Sequence, residues 1–114
     1  MTATIAYKIL TAAQFAALEC DNFAGAAVDI ADGYIHLSTA TQVTETVDKH
    51  FAGQSGLVIA AVDLSALGDA VRWEISRGGA EFPHLYGRLT MAAVVAHGKL
   101  ARGVDGAVLL PPET

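Results

Sequence analysis

An unbroken apolar run at residues 57–62, Leu-Val-Ile-Ala-Ala-Val, is the feature that most constrains how this chain folds. Every position of the run is apolar, so neither the two-residue period of a strand nor the 3.6-residue period of a helix gives it a polar face. Both faces of the element must therefore be buried. The segment Gly-Gln-Ser-Gly at residues 53–56 predicts a turn directly before it. We therefore expect a strand at the centre of a sheet that is covered on both faces.

Two capping-box pairs mark the starts of helices in the first half of the chain. Thr11 with Gln14, and Thr39 with Gln42, place a hydroxyl residue three positions before a glutamine. In this arrangement each side chain bonds the backbone N–H of the other residue. Between the two pairs, residues 22–33 are rich in glycine and alanine and predict an irregular segment.

Short apolar or alternating stretches predict the strands. They are residues 5–10, 34–37, 57–62, 71–75, 82–87, 93–100 and 107–110. Pro83 lacks a backbone N–H, so we expect either its strand at a sheet edge or the proline among the first residues of that strand. The pattern predicts a single α+β domain over residues 1–114, with a curved, mostly antiparallel sheet and two main helices.

The composition argues against several classes of protein. Hydrophobic residues make up 53% of the 114 residues, which is enough for one core and too many for a disordered chain. Seven Lys and Arg against 12 Asp and Glu give a net charge of −5, which argues against nucleic acid as the main partner. The longest apolar run is too short to cross a bilayer, so no membrane association is expected.

The single cysteine, Cys20, cannot form an internal disulfide and fits a reducing compartment. Because no basic region followed by an apolar block begins the sequence, we expect a cytoplasmic protein. The high apolar content leaves both a monomer and a homodimer open.

The segment 32–39, Asp-Gly-Tyr-Ile-His-Leu-Ser-Thr, carries the strongest indication of chemistry. It places His36 at the end of an apolar stretch, before Ser38 and Thr39, either of which can cap the next helix. A helix N-terminus offers free N–H groups to an anion, and a neighbouring histidine can exchange a proton there. The alternative is a half-buried strand histidine beside an ordinary helix cap.

Arg72 and Glu74 form a second polar group on one face of a predicted strand, on either side of Trp73. The arginine can bind a phosphate or carboxylate at two points, and the glutamate can orient it or contact a ribose hydroxyl. The alternative is a surface ion pair that contributes little to stability.

The third group is Phe82, His84 and Tyr86, which a two-residue period places on one strand face. A phenyl, an imidazole and a phenol together can stack on a flat ring and donate hydrogen bonds, as a pocket wall does. The alternative is a core phenylalanine with a histidine and a tyrosine near a sheet edge.

The remaining histidines are not assigned to the site. His50 falls in the last turn of a predicted helix, where the helix dipole favours it, and His97 lies in a predicted strand without polar company. His36 and His84 lack the spacing typical of metal ligands, so no metal is predicted.

Three motifs carry a resemblance to a known family. They are residues 32–39 with the following Gln42, residues 72–74 (Arg-Trp-Glu) and residues 82–87 (Phe-Pro-His-Leu-Tyr-Gly). Together they resemble a bacterial domain of unknown function, DUF952, over nearly the whole chain. That family is remotely similar to the ADP-ribosyltransferase-like superfamily, which includes the NAD-dependent tRNA 2′-phosphotransferases. The resemblance implies an ADP-ribosyltransferase-like fold, a nicotinamide pocket lined by His36 and Ser38, and NAD as a candidate cofactor.

The same resemblance implies roles for further residues. In the superfamily an early strand carries a histidine that grips the NAD ribose, and Lys8 is the only candidate in the matching stretch of this chain. Glu74 and Glu81 are the candidates for the glutamate that polarises the ribose.

Three functions are consistent with these residues. The first is an enzyme, such as a transferase, that acts on a nucleotide, an NAD-derived compound or a phosphorylated metabolite. The second is a ligand-binding or sensing module without catalysis, and the third is an interaction domain. The candidate catalytic residues are His36, His84 and Glu74. The candidate residues for binding a small anionic, nucleotide-like ligand are Ser38, Thr39, Gln42, Arg72, Tyr86 and Lys8.

Overall fold

Two three-stranded antiparallel sheets and four helices make up the fold in the computed structural model, which describes residues 4–111. In chain order the elements are β1 (Ile5–Thr11), α1 (Ala12–Glu19), α2 (Ala27–Asp32), β2 (Ile35–His36), α3 (Val43–His50), β3 (Leu57–Asp63), α4 (Leu64–Leu67), β4 (Val71–Ile75), β5 (Glu81–Leu85) and β6 (Val94–Lys99). Single 3₁₀ turns occur at Gly68–Ala70, Arg77–Gly79 and Met91–Ala93.

The first sheet has the strand order β1-β3-β6 and the second has the order β2-β5-β4. This arrangement confirms an α+β domain with antiparallel strands. It differs from the expectation in having two small sheets in place of one curved sheet. The outermost residues of the predicted domain, 1–3 and 112–114, lie outside the described residues.

β3 lies at the centre of the first sheet, as its apolar run predicts. It pairs with β1 on one side and with β6 on the other. Ala60 and Val62 face a hydrophobic cluster that α1 covers, whereas Ile59 and Ala61 face a cluster that α3 covers. Both faces of the strand are therefore buried, and this is why no position in the run is polar.

β5 lies at the centre of the second sheet, so the expectation that Pro83 marks an edge strand is wrong. The N–H of Leu37 donates to the carbonyl oxygen of Pro83 at 3.1 Å, but Pro83 has no N–H to return. The ladder between β2 and β5 is accordingly short and pairs only Ile35 with Leu85 and His36 with His84. The proline shortens one ladder and does not place its strand at the edge.

An isolated β-bridge joins the two sheets. The N–H of Tyr7 in β1 donates to the carbonyl oxygen of Ser38 at 2.7 Å, and the N–H of Ser38 donates to the carbonyl oxygen of Tyr7 at 3.0 Å. Ser38 follows directly after β2 and Leu37, so this bridge places β1 beside the segment that carries His36.

The capping box at the start of α1 is confirmed. The hydroxyl of Thr11 accepts from the N–H of Gln14 at 3.1 Å, and the side-chain oxygen of Gln14 accepts from the N–H of Thr11 at 2.9 Å. Local sequence decides this helix start because both partners lie within three residues.

The second capping box forms only in part. The side-chain oxygen of Gln42 accepts from the N–H of Thr39 at 3.0 Å, but the hydroxyl of Thr39 contacts that of Thr41 instead. α3 begins at Val43, after a turn at residues 39–42. The N-cap residue of this helix is therefore Gln42, and neither Ser38 nor Thr39 has that position.

The segment 22–33, expected to be irregular, contains α2. A carboxylate oxygen of Asp29 accepts from the N–H of Ala26 at 2.8 Å, which supports the first turn, and Gly33 ends the helix with a φ of 88°. Only glycine adopts that left-handed conformation without strain. Several of the small residues that suggested an irregular segment thus belong to a short helix held by one aspartate.

The last expected strand, residues 107–110, is reduced to one bridge between Arg102 and Val108. A turn at Gly103 and Gly106 sets this bridge, and the guanidinium of Arg102 donates to the carbonyl oxygen of Gly106 at 2.9 Å. Between residues 4 and 111, none of the helices has the length and apolar content needed to cross a membrane.

Candidate functional site

A cavity of about 650 Å³ lies beside the bridge between the two sheets. Its lining comes from both sheets and from α2 and α3. The polar lining residues include Lys8, Asp32, His36, Ser38, Thr46, His50 and His84, and the apolar ones include Ile9, Leu37, Phe51 and Phe82. A cavity of this size, with apolar walls and a few polar groups, suits a small organic molecule.

A buried ion pair lies next to this cavity. The side chains of Lys8 and Asp29 are only 7% and 1% exposed, and Nζ of Lys8 donates to the two carboxylate oxygens at 2.8 and 3.1 Å. Nζ also donates to the carbonyl oxygen of His36 at 3.0 Å. Since an ammonium group has three protons, all of them are used within the protein. Lys8 therefore positions α2 and β2 relative to β1.

Burial and pairing shift the pKa values of both partners. Burial lowers the pKa of Lys8 below its usual value, although the charge of Asp29 and its hydrogen bonds act in the opposite direction. For Asp29, burial raises the pKa, but the charge of Lys8 and the hydrogen bonds from Lys8, His36 and Ala26 outweigh it. The pKa of Asp29 is thus below its usual value, and its carboxylate persists at neutral pH.

Acid is expected to destabilise the protein through Asp29. Its folded pKa lies below the unfolded value of about 4, so its carboxylate contributes stability above that pH, and this contribution is lost as the pH falls through the folded pKa. Denaturant titrations at about pH 7, 5 and 3 should show a falling free energy of unfolding, with a smaller fall in Asp29→Asn. The control Asp69→Asn, at an exposed position, should retain the full decrease. The same pH dependence in all three proteins would contradict this account.

Both ring nitrogens of His36 contact carboxylates. Nδ1 lies 2.7 Å from Oδ1 of Asp29, and Nε2 lies 3.0 Å from Oδ2 of Asp32. The backbone N–H of His36 donates to the same Oδ1 of Asp29 at 3.1 Å. Because a carboxylate only accepts, the ring can serve both partners at once only when it carries two protons.

His84 is held by a carboxylate from the neighbouring strand. Its side chain is 2% exposed, and Nδ1 lies 2.8 Å from Oε1 of Glu74 in β4. The same oxygen accepts from the hydroxyl of Tyr86 at 2.7 Å. His84 lines the cavity, and its Nε2 has no partner among residues 4–111. When Nδ1 donates to Glu74, Nε2 of the neutral ring carries the lone pair and can exchange a proton with a bound molecule.

Tyr34 joins the two histidines in one aromatic group. Its ring stacks on that of His84 with centroids 4.2 Å apart, and it also contacts the rings of His36 at 4.7 Å and Tyr86 at 5.1 Å. His36 and His84 are direct partners across β2 and β5, and their ring centroids are 5.4 Å apart. Two imidazoles, each held by a carboxylate, thus lie side by side on the cavity wall.

The groups around His84 are fixed in definite ionisation states at neutral pH. Hydrogen bonds from His84 and from Tyr86 hold the pKa of Glu74 below its usual value. The bond to Glu74 raises the pKa of Tyr86, and burial together with the charges of Asp32 and Glu74 raises the pKa of Tyr34. Glu74 is therefore a carboxylate, and both tyrosines keep their hydroxyl protons.

A pair of hydroxyls lies on another part of the cavity wall. Oγ of Ser38 is 2.8 Å from Oγ1 of Thr46, and the hydroxyl of Thr46 also donates to the carbonyl oxygen of Gln42 at 3.2 Å. His50 lies one helical turn after Thr46 in α3 and lines the same cavity. To a bound ligand, this wall presents two hydroxyl groups and an imidazole, none of which carries a negative charge.

Comparison with known proteins identifies the family. Residues 9–97 match the profile of a family described as "Protein of unknown function (DUF952)". The chain belongs to the DUF952 family. No curated protein matches it.

Experimental structures are known for a relative of this chain. The chain is 46% identical in sequence to protein CC0527 from Caulobacter crescentus in its X-ray structure, with 94% of this chain and 95% of that chain covered and a TM-score of 0.84. Against the solution NMR structure of CC0527 the identity is 46%, the coverage 93% and 91%, and the TM-score 0.77. The fold of this DUF952 chain is therefore close to one determined by experiment.

The DUF952 structure brings together most of the residues that the sequence singled out. Lys8, His36, Ser38 and His84 line one cavity. Glu74 contacts His84, and Tyr86 contacts Glu74, but neither lines the cavity. The guanidinium of Arg72 lies 5.2 Å from the ring centroid of Tyr86. The three motifs thus form one connected group.

Besides Arg72 and Tyr86, two further predicted ligand residues, Thr39 and Gln42, lie away from the cavity lining. Thr39 contacts Thr41, and the side-chain nitrogen of Gln42 donates to the carbonyl oxygen of Glu81 at 2.7 Å. Gln42 thereby connects the turn before α3 to β5. Glu81 is exposed, whereas Glu74 is the glutamate bonded to His84.

Sequence reasoning missed several residues of this DUF952 site. Asp29 and Asp32 hold His36, Tyr34 stacks on His84, and His50 lines the cavity although it was set aside. An available signal was the aspartate at position 29 between valine and isoleucine, because a charged residue buried in an apolar segment requires a partner.

Proposed function

We propose that this protein is an enzyme that uses proton transfer to act on a phosphorylated or nucleotide-like small molecule. The observation that supports it is the pair of neighbouring imidazoles, His36 and His84, each fixed by a carboxylate at the same cavity. A histidine held through one nitrogen keeps its ring orientation and tautomer while the other nitrogen exchanges a proton.

His84 is the proposed general base. Glu74 accepts from Nδ1, so Nε2 of the neutral ring is free to take a proton from an attacking hydroxyl or water. Glu74 acts here as a positioning residue, since it touches His84 and does not line the cavity. Burial of the ring under Tyr34 restricts water around this nitrogen.

His36 is the proposed donor to negative charge. With protons on both nitrogens, its Nε2–H is a cationic donor that a ligand can take over from Asp32 while Asp29 holds Nδ1. Such a donor stabilises a phosphate group or the charge that develops on a leaving oxygen. An anionic ligand is therefore the class that we propose for this cavity.

The proposal includes a distant relation to the ADP-ribosyltransferase-like superfamily, with NAD as the first cofactor to test. It is supported by the His36-Leu37-Ser38 segment beside a cavity between two small antiparallel sheets. A cytoplasmic location belongs to the same proposal, since Cys20 is a free, exposed thiol. The proposal leaves monomer and homodimer open.

A non-catalytic ligand-binding or sensing module is the second candidate. The contact of Asp32 with the second nitrogen of His36 favours it, since a ring bonded to two carboxylates serves as a donor and not as a base. Turnover of a bound compound distinguishes the two candidates.

A thermal-shift panel of NAD, ADP-ribose, nucleotides and sugar phosphates tests the proposal. We expect at least one compound to raise the melting temperature of the wild-type protein, because a ligand that binds only the folded state stabilises it. His84→Gln and His36→Gln should abolish this shift. Incubation of the active compound with wild-type protein, followed by product analysis, then shows whether it is converted.

The matched control is His97→Gln. His97 is exposed, contacts the ring of Phe15 at 4.7 Å and does not line the cavity, so its replacement should leave the ligand shift unchanged. A shift that survives in both His36→Gln and His84→Gln, or the lack of any stabilising compound, would refute the proposed site.

A further inference from the structure

The carboxylate of Asp32 contacts a ring nitrogen that a ligand can also use. Its Oδ2 lies 3.0 Å from Nε2 of His36, and both residues line the cavity. The Asp32 side chain is 45% exposed and that of His36 is 28% exposed. This contact therefore lies at the surface of the cavity, within reach of a dissolved anion.

The two aspartates on His36 differ in how firmly they are held. Asp29 is 1% exposed and also bonds Lys8, Ala26 and the backbone of His36. Asp32 is the last residue of α2. Among residues 4–111, its carboxylate has one hydrogen-bond partner, the ring of His36. Moving Asp32 away breaks one exposed contact, whereas moving Asp29 disrupts a buried network.

We infer that Nε2 of His36 is a subsite for a phosphate group, and that the carboxylate of Asp32 competes with that phosphate for it. The inference rests on the proposed function, since it assigns the ligand's anionic group to one atom of the same cavity. Asp32 thereby sets the affinity of the site for anions.

Electrostatics explain why the two anions exclude each other. A single N–H cannot donate fully to two acceptors, and two anions within a few ångströms repel one another. The exchange is feasible because exposed ion pairs contribute little to stability. Lys8 does not compete for the phosphate, since its three protons are already used.

The test compares the affinity of inorganic phosphate for wild-type protein and Asp32→Asn by NMR titration at constant ionic strength. Asparagine keeps the size of the side chain and removes the competing charge. We expect Asp32→Asn to bind phosphate about three- to tenfold more tightly, the range given by the loss of one exposed charge contact and one repulsion. The double variant Asp32→Asn with His36→Gln should lose this gain.

Asp69→Asn is the control for overall charge. Asp69 is exposed and does not line the cavity, so this variant changes the net charge equally and should bind phosphate as the wild type does. If Asp32→Asn binds phosphate no more tightly than Asp69→Asn, or if neither binds it, the inference is wrong. Loss of ligand binding in His36→Gln and His84→Gln would in that case still support the proposed function.

Discussion

Replacing Asp29 with asparagine is expected to lower the free energy of unfolding by about 3–5 kcal/mol. Asparagine has nearly the same shape, but it leaves the buried ammonium group of Lys8 without a counter-ion. It also weakens the acceptor that the backbone and ring of His36 share. Urea titration followed by circular dichroism measures the change.

Two comparisons isolate the buried charge as the cause. Asp48, whose side chain is 55% exposed, is a surface partner of Arg102. Asp48→Asn should therefore lower the free energy of unfolding by less than about 1 kcal/mol. The double variant Lys8→Met with Asp29→Asn should recover part of the loss, because no unpaired charge is then buried. A single-variant loss no larger than that of Asp48→Asn would show that the Lys8–Asp29 pair is not important for stability.

Leu85→Ala is expected to destabilise the protein by about 2–5 kcal/mol. The side chain is 1% exposed, and its residue pairs with Ile35 in β2 and Val71 in β4. Truncation leaves a cavity in the hydrophobic cluster on the face of β5 opposite the side chain of the preceding residue, His84. Because β5 carries both residues, we also expect this variant to bind a ligand less well at temperatures at which part of the protein is unfolded.

Ile75→Ala is the matched control in the same sheet. Ile75 ends β4 and is 72% exposed, so its truncation should change the free energy of unfolding by no more than about 0.5 kcal/mol. Thermal or urea unfolding of the two variants side by side measures the difference. Equal losses in the two variants would mean that the second sheet does not pack as described.

Local patterns correctly predicted the elements whose signal lies within one short segment. The apolar run at residues 57–62 became a central strand, and Thr11 with Gln14 began a helix. The prediction failed for Pro83 because strand order depends on pairing between distant segments. Residues 22–33 were misjudged for a similar reason, since the partner that holds Asp29 is Lys8, 21 positions earlier in the chain.

The candidate site divides in the same way. The sequence by itself predicted a site at His36, Glu74 and His84, because polar groups at strand spacing beside apolar residues are visible locally. Only the tertiary structure decided that Glu74 holds His84, that Asp29 and Asp32 hold His36, and that His50 faces the same cavity. Those contacts arise where separate elements pack together, and periodicity along one segment carries no information about which distant side chain will lie across from it.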